Sequence, residues 1–163
     1  MQSILSRRRI EAQILAHVHQ VLVERSGKEE ADAVIGETCS RAAVEQGEQL
    51  AAKVAHQPDL SDFSNEFASW TAEDALEVEV LQQSAERLDF NVVRCRYAEM
   101  YSDMGVGDIG HLLSCNRDGK LCEGYNPDIE LTRTQTIMGG ASHCDFRFTM
   151  KRSSESPRKK GGK

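Results

Sequence analysis

Leu76-Glu77-Val78-Glu79-Val80-Leu81, and after it Phe90-Asn91-Val92-Val93-Arg94, mark the point where the periodicity of the chain changes. In the first run apolar and acidic residues alternate, the two-residue repeat of a strand with one face buried. A polar turn at Ser84-Ala85-Glu86 separates the runs, so the second reads as the return strand of a hairpin. Everything before Asp74 follows a different rule.

Upstream the repeat is helical. Ile10, Ile14, Val18, Val21 and Leu22 recur at steps of three and four, which places an apolar stripe on a helix from about Ser3 to Arg25. Ser26-Gly27 ends it, because glycine tolerates the left-handed geometry of a helix terminus. A second helix begins near Lys28, with Glu29, Glu30 and Asp32 favourably placed at the positive end of its dipole. It is expected to reach about His56, with Val34, Ile35, Ala42, Leu50 and Val54 as its apolar set. Pro58 breaks the chain, and Ser61 or Asp62 is expected to cap a third, shorter helix holding Phe63, Phe67 and Trp70.

Downstream, short helices are expected around Tyr97–Tyr101 and from Gly107 to before Asn116. The threonine-rich stretch Ile129–Ile137 reads as a strand. Gly139-Gly140 interrupts it, and Cys144–Met150 returns with Cys144, Phe146 and Phe148 on one face and His143, Asp145 and Arg147 on the other. The fold class is therefore α+β: a helical N-terminal half packed on a roughly four-stranded, mainly antiparallel sheet with inserted short helices. Residues 1–150 form one domain, helical over 1–72 and sheet-forming over 73–150. Residues 151–163 read as a disordered basic tail.

Composition limits the function. The 163 residues carry a net charge of −6; the segment from Lys151 contributes +5, which leaves −11 on residues 1–150. So acidic a body repels phosphate backbones, and nucleic acid is not expected as its ligand. No apolar run is long enough to span a bilayer, and the N-terminus has no signal-peptide pattern, so a cytoplasmic chain without a membrane partner is expected. Five cysteines without an export signal point to reduced thiols rather than a disulfide framework.

Three groupings carry chemical potential. His111 and Cys115 are four residues apart, with Asp118 a turn later, the residue types of an imidazole-assisted thiol nucleophile. Against this, a cysteine at the C-terminal end of a short helix sits where the dipole disfavours thiolate, and a buried structural thiol is the plain alternative. His143-Cys144-Asp145 brings the same three types together on the last strand, where alternation splits them between faces. His111, Cys115, Cys122, His143 and Cys144 could together ligate a metal, but neither CxxC nor HExxH spacing occurs. No cofactor is required, and a metal such as zinc or manganese is the alternative. Arg94, Arg96, Arg133 and Arg147 fall near strands, where each can fork onto a substrate carboxylate or pair with a neighbouring glutamate.

Four ordered segments then match a known pattern. They are Asn91–Tyr101, Leu112–Asp118, Gly124–Ile129 and Arg133–Phe148, the last ending in Cys144-Asp145-Phe146-Arg147. Together they resemble the L-2-amino-thiazoline-4-carboxylic acid hydrolases over about Glu73–Met150. The resemblance implies hydrolytic opening of a cyclic isothiourea to N-carbamoyl-L-cysteine, a step toward L-cysteine, and places the family's Cys…Asp pair on Cys115 and Asp118.

Such a reaction needs a nucleophile or activated water, a proton shuttle, a carboxylate for the amidinium and a cation for the substrate carboxylate. The expected catalytic set is Cys115 as nucleophile, Asp118 as amidinium partner and His143 as acid/base. His111 stands in reserve, with Cys144 beside them. Arg96 or Arg147 is the expected carboxylate anchor, and Tyr97, Arg133 and Thr134 complete the substrate-binding set. A small-molecule substrate and a possible homo-oligomer are the expected partners. The competing readings are metal-activated water, hydrolysis of a related ring, a non-catalytic module binding a small carboxylate, and an interaction protein acting through the basic tail.

Overall fold

The computed structural model describes residues 2–151; all but the first residue of the basic tail lies outside them. Two long helices, α1 (Ile4–Ser26) and α2 (Lys28–Ala51), lead into the short α3 (Leu60–Asn65) and α4 (Phe67–Trp70). The hairpin β1 (Leu76–Gln83) and β2 (Arg87–Cys95) follows. Then come α5 (Arg96–Asp103), a 3-10 turn, a π-helical turn over His111–Cys115, α6 (Arg117–Tyr125), β3 (Ile129–Thr132) and β4 (Cys144–Met150). The four strands form one sheet in the order β1-β2-β4-β3, and every neighbouring pair is antiparallel. The architecture is α+β, as the change of period at Asp74 implies.

One face of the sheet is packed. Leu88, Phe90 and Val92 of β2 and Cys144, Phe146 and Phe148 of β4 are buried against Phe63, Leu121 and Tyr125. Phe90 and Phe146, partners across the ladder, stack with ring centroids 4.7 Å apart. A second apolar cluster joins Ala12, Ile35 and Cys39 of the long helices to Tyr97, Met100 and Tyr101 of α5 and to Leu112 and Leu113. β1 forms one edge of the sheet, with Glu77 and Glu79 turned to solvent.

α2 and α6 cross at unusually short range. The side of α2 that meets the rest of the protein is a row of mostly small residues, Ala31, Ile35, Cys39, Ala43 and Gly47. A Cβ on Gly47 would stand 2.1 Å from the Leu121 carbonyl oxygen, and one on Gly124 would stand 2.0 Å from that of Val44. The two glycines face each other's helix, and the absence of side chains lets backbone touch backbone.

Several expectations are displaced. The α1 stripe of Ile10, Ile14, Val18 and Val21 is exposed (Ile14 at 65%), and the helix buries the side that carries Arg8 and Ala12 instead. Both faces satisfy the same period, and close approach to α2 favours the one with the small residue. α2 ends at Ala51 rather than near His56, and Ala42 is exposed while Ala43 is buried. The expected third helix is two, α3 and α4, and its cap is Asp59: its carboxylate accepts from the Ser61 and Asp62 amides while Asp62 accepts from the Asp59 amide. β3 stops at Thr132, after which Arg133–Gln135 leave the ladder. Among the described residues no helix is long and apolar enough to cross a membrane.

The glycine crossing is testable by chemical denaturation. Gly47→Ala and Gly124→Ala each force backbone atoms apart and should destabilise the protein by more than about 2 kcal/mol. Gly119→Ala, also in α6 but with nothing within 4 Å of the new methyl, should instead stabilise it by up to about 1 kcal/mol.

Candidate functional site

Where the two apolar clusters meet they leave a cavity with an empty volume of about 820 Å³, its open mouth included. The sheet supplies one wall through Phe90, Val92, Cys144 and Phe146, and Trp70 closes its side. The opposite wall is α6, through Arg117, Asp118 and Leu121. Arg8 of α1 and Gln46 of α2 reach in beside them, and Cys115 and Ser114 come from the π-helical turn.

Asp118 is the focus of the polar wall. Its Oδ2 accepts a 2.8 Å hydrogen bond from Arg133 Nη1, and Arg133 Nη2 donates to the Cys115 carbonyl at 3.0 Å. The guanidinium carbon of Arg133 lies 4.9 Å from the Phe146 ring centroid, so an aromatic face and a carboxylate fix it together. What remains exposed of Asp118 opens into the cavity. Burial pushes its carboxyl above the ordinary range, and the nearby Arg133 charge only partly offsets this.

The thiols behave differently from a nucleophile's. Burial, reinforced by the Asp118 charge, pushes Cys115 up to about 12. Cys95, also on the cavity wall, is pushed up to about 11 by burial. Burial likewise raises Cys144, whose sulfur accepts from the Ile137 amide at 3.2 Å. The same cause raises the Tyr97 hydroxyl at the cavity edge. The Tyr101 hydroxyl bonds to Ser114 at 2.6 Å, bracing the turn that carries Cys115.

The structure thus brings Cys115, Asp118, Arg133, Tyr97 and Cys144 to one hollow, and sends the other sequence candidates elsewhere. His111 is exposed: the segment is π-helical, with the Asn116 amide bonded to the His111 carbonyl, so α-helical spacing does not pair it with Cys115. His143 lies outside the cavity, bonded to Ser142 at 2.9 Å, with its carbonyl held by Gln135. Arg96 donates to the Glu73 carbonyl at 2.8 Å, pinning a residue with φ of 58° ahead of β1. Arg147 bonds the Phe90 carbonyl and the Asn91 side chain on the sheet's other face. Thr134 binds Asp145, which also accepts from the Gln135 amide, so both shape the loop after β3. Among the described residues no group of three His, Cys, Asp or Glu side chains is arranged to hold a metal ion.

Residues 7–148 match the family of L-2-amino-thiazoline-4-carboxylic acid hydrolases. The chain belongs to that family. No curated protein matches it by sequence. Two solved structures share its fold at low identity. The phenol-responsive sensory domain of the transcription activator PoxR, with phenol, aligns at a TM-score of 0.55 and 14% identity, over 85% of this chain and 73% of that one. Subunit 3 of a trafficking protein particle complex from Naegleria fowleri, covalently bound to palmitic acid, aligns at 0.52 and 10%, over 90% of this chain and 96% of its own. In this family member the match spans nearly all of the described fold, α1 and α2 included, well beyond the four segments that carry the resemblance.

Arg8, Gln46, Arg117 and Trp70 were not marked as site residues by the sequence. Arg117 had one signal, its place beside Asp118; the others come from helices whose packing no local pattern reveals.

Iodoacetamide at pH 8 tests the thiol environment. A thiol at about 12 carries roughly a thousandth of the thiolate of free cysteine near 8.5, so Cys115 should alkylate about three orders of magnitude more slowly, as read by peptide mapping. Denaturant should abolish the difference.

Proposed function

We propose that the cavity binds a small ring compound and opens it by hydrolysis at an amidine-type carbon, as the family name indicates, with L-2-amino-thiazoline-4-carboxylate the first substrate to try. The observation that carries this reading is Asp118: a carboxyl raised by burial, facing a largely apolar hollow and fixed on one side by Arg133. A carboxyl tuned upward takes and returns a proton more readily than an ordinary aspartate.

In this reading water is the nucleophile. Its oxygen bonds to the ring carbon between sulfur and the nitrogens while Asp118 takes one of its protons. The carbon–nitrogen double bond of the ring, protonated as the amidinium, gives up its π pair to nitrogen. The carbon–sulfur bond then breaks, and the proton on Asp118 passes to the departing sulfur. The new hydroxyl releases its proton to solvent as the carbonyl forms, leaving the carbamoyl product. Cys115 stays a neutral thiol on the wall, in keeping with its pKa of about 12. The covalent role expected for it from the sequence gives way here to activated water, and the acid/base role expected for His143 passes to Asp118.

A second reading is favoured by the aromatic wall of Trp70, Phe90 and Phe146: a module that binds a ring without converting it. The likeness to a sensory domain solved with phenol supports it.

Mass-detected turnover of a panel of 2-amino-thiazolines and hydantoins separates the two. Hydrolysis predicts product, a loss of about 10²- to 10⁴-fold in Asp118→Asn, and activity within about tenfold of wild type in Cys115→Ser. Inactive Cys115→Ser with a normal melting curve would restore the covalent mechanism. Saturable binding without product over hours would establish the second reading.

The pH profile follows from the sign of the Asp118 shift. As base, Asp118 must be ionised, so the rate falls as pH drops through its raised pKa. The acid limb should therefore lie above the ordinary aspartate value of about 3.9.

A further inference from the structure

Arg117 is a cation with no anion. It is only 7% exposed, and its guanidinium lies on the cavity wall beside Arg8. Its two hydrogen bonds are long and go to neutral oxygens: the Cys39 carbonyl at 3.5 Å and Gln46 Oε1 at 3.3 Å. That Gln46 oxygen also receives Arg8 Nη2 at 3.4 Å, so one neutral atom serves two cations. The carboxylates nearby are committed. Glu11 binds Arg7 at 3.0 Å and Arg8 at 2.7 Å, and Asp118 binds Arg133. Desolvation and the Arg8 charge both work against holding the Arg117 proton.

A buried, unpaired guanidinium is costly, and proteins retain one where something else supplies the negative charge. Three of its five N–H groups are unused. The hollow in front of it also holds the Asp118–Arg133 pair and Ser114, and is otherwise lined mostly by apolar side chains, Phe90 and Phe146 among them. From this arrangement we infer that Arg117, supported by Arg8, is the clamp for a ligand carboxylate, and that the site selects ring acids over the corresponding neutral rings. Gln46 orients the two guanidiniums, and the ring of the ligand lies toward Phe90 and Phe146. This assigns the acid-recognition role expected of Arg96 or Arg147 to a different pair. It rests on the proposed function and deepens it by naming the residues that recognise the acid, but it concerns binding and not turnover.

The test compares acids with their amides by calorimetry: 2-amino-thiazoline-4-carboxylate against its carboxamide, and benzoate against benzamide. A charge-assisted fork predicts that each acid binds about 10- to 100-fold more tightly than its amide. Arg117→Met should remove most of that preference by weakening acid binding far more than amide binding. It should also melt no lower than wild type, because an apolar side chain of similar length removes the uncompensated charge. A purely structural arginine would instead lower the melting temperature and leave the preference intact.

Equal affinity for acid and amide in the wild-type protein, binding of neither acid, or a retained preference in Arg117→Met would each overturn the assignment. Should Arg117→Met fail to fold, Arg117→Lys decides: the charge without the fork should keep only part of the preference, and keeping all of it counts against the clamp. Acid-selective binding without product speaks against hydrolysis alone. Turnover of acid and amide with equal KM speaks against the clamp alone.

Discussion

The close crossing of α2 and α6 is the contact on which the site depends. Gly47 and Gly124 remove the two side chains that would hold the helices at ordinary separation. The consequence is positional. α6 carries Arg117, Asp118 and Leu121, and α2 carries Gln46, so the distance between these helices fixes how far the polar wall stands from the sheet. The same approach hides Arg117 from solvent and leaves it only α2 oxygens to bond.

Burial then decides the chemistry. The cavity wall mixes ionisable and apolar groups, and desolvation is the largest influence on Asp118 and on the thiols. Its effect runs in opposite directions for function. A carboxyl raised from its usual value becomes a better proton relay near neutral pH, while a thiol raised from its usual value becomes a poorer nucleophile. One hollow thus makes an aspartate more useful and a cysteine less so, and it separates two residues that sequence proximity suggested were partners.

What the sequence made legible were features carried by local pattern. The alternation of Leu76–Leu81 and of Cys144–Met150 located strands, and the burial of Cys144, Phe146 and Phe148 on one face follows the strand period. Cys115 and Asp118 were legible through their matched segment. Less legible were features set by packing. The α1 stripe satisfied helical period on the wrong side, because a helix with two eligible faces is oriented by its neighbour, and α2 accepts Ala12 more closely than Ile14. Arg96, at the start of α5, and Arg147, on β4, had the right chemistry near the sheet, but backbone carbonyls claimed them. His111 was misplaced because a π-helical turn leaves no composition signal distinct from an α-helix. Arg8 and Gln46 lie far apart in sequence and meet only because two long helices pack side by side.

The outer margin of the sheet carries its own consequence. β1 ends the strand order, and its unpaired backbone groups would offer any extended chain a template for annealing. Glu77, bridged to Arg94, and Glu79 are exposed along that strand, so a second copy approaching edge to edge would have to accommodate charged side chains. The acidic half of the alternation that marks this segment as a strand therefore also works against annealing, beside the exposed Val80 and Leu81 that would favour it.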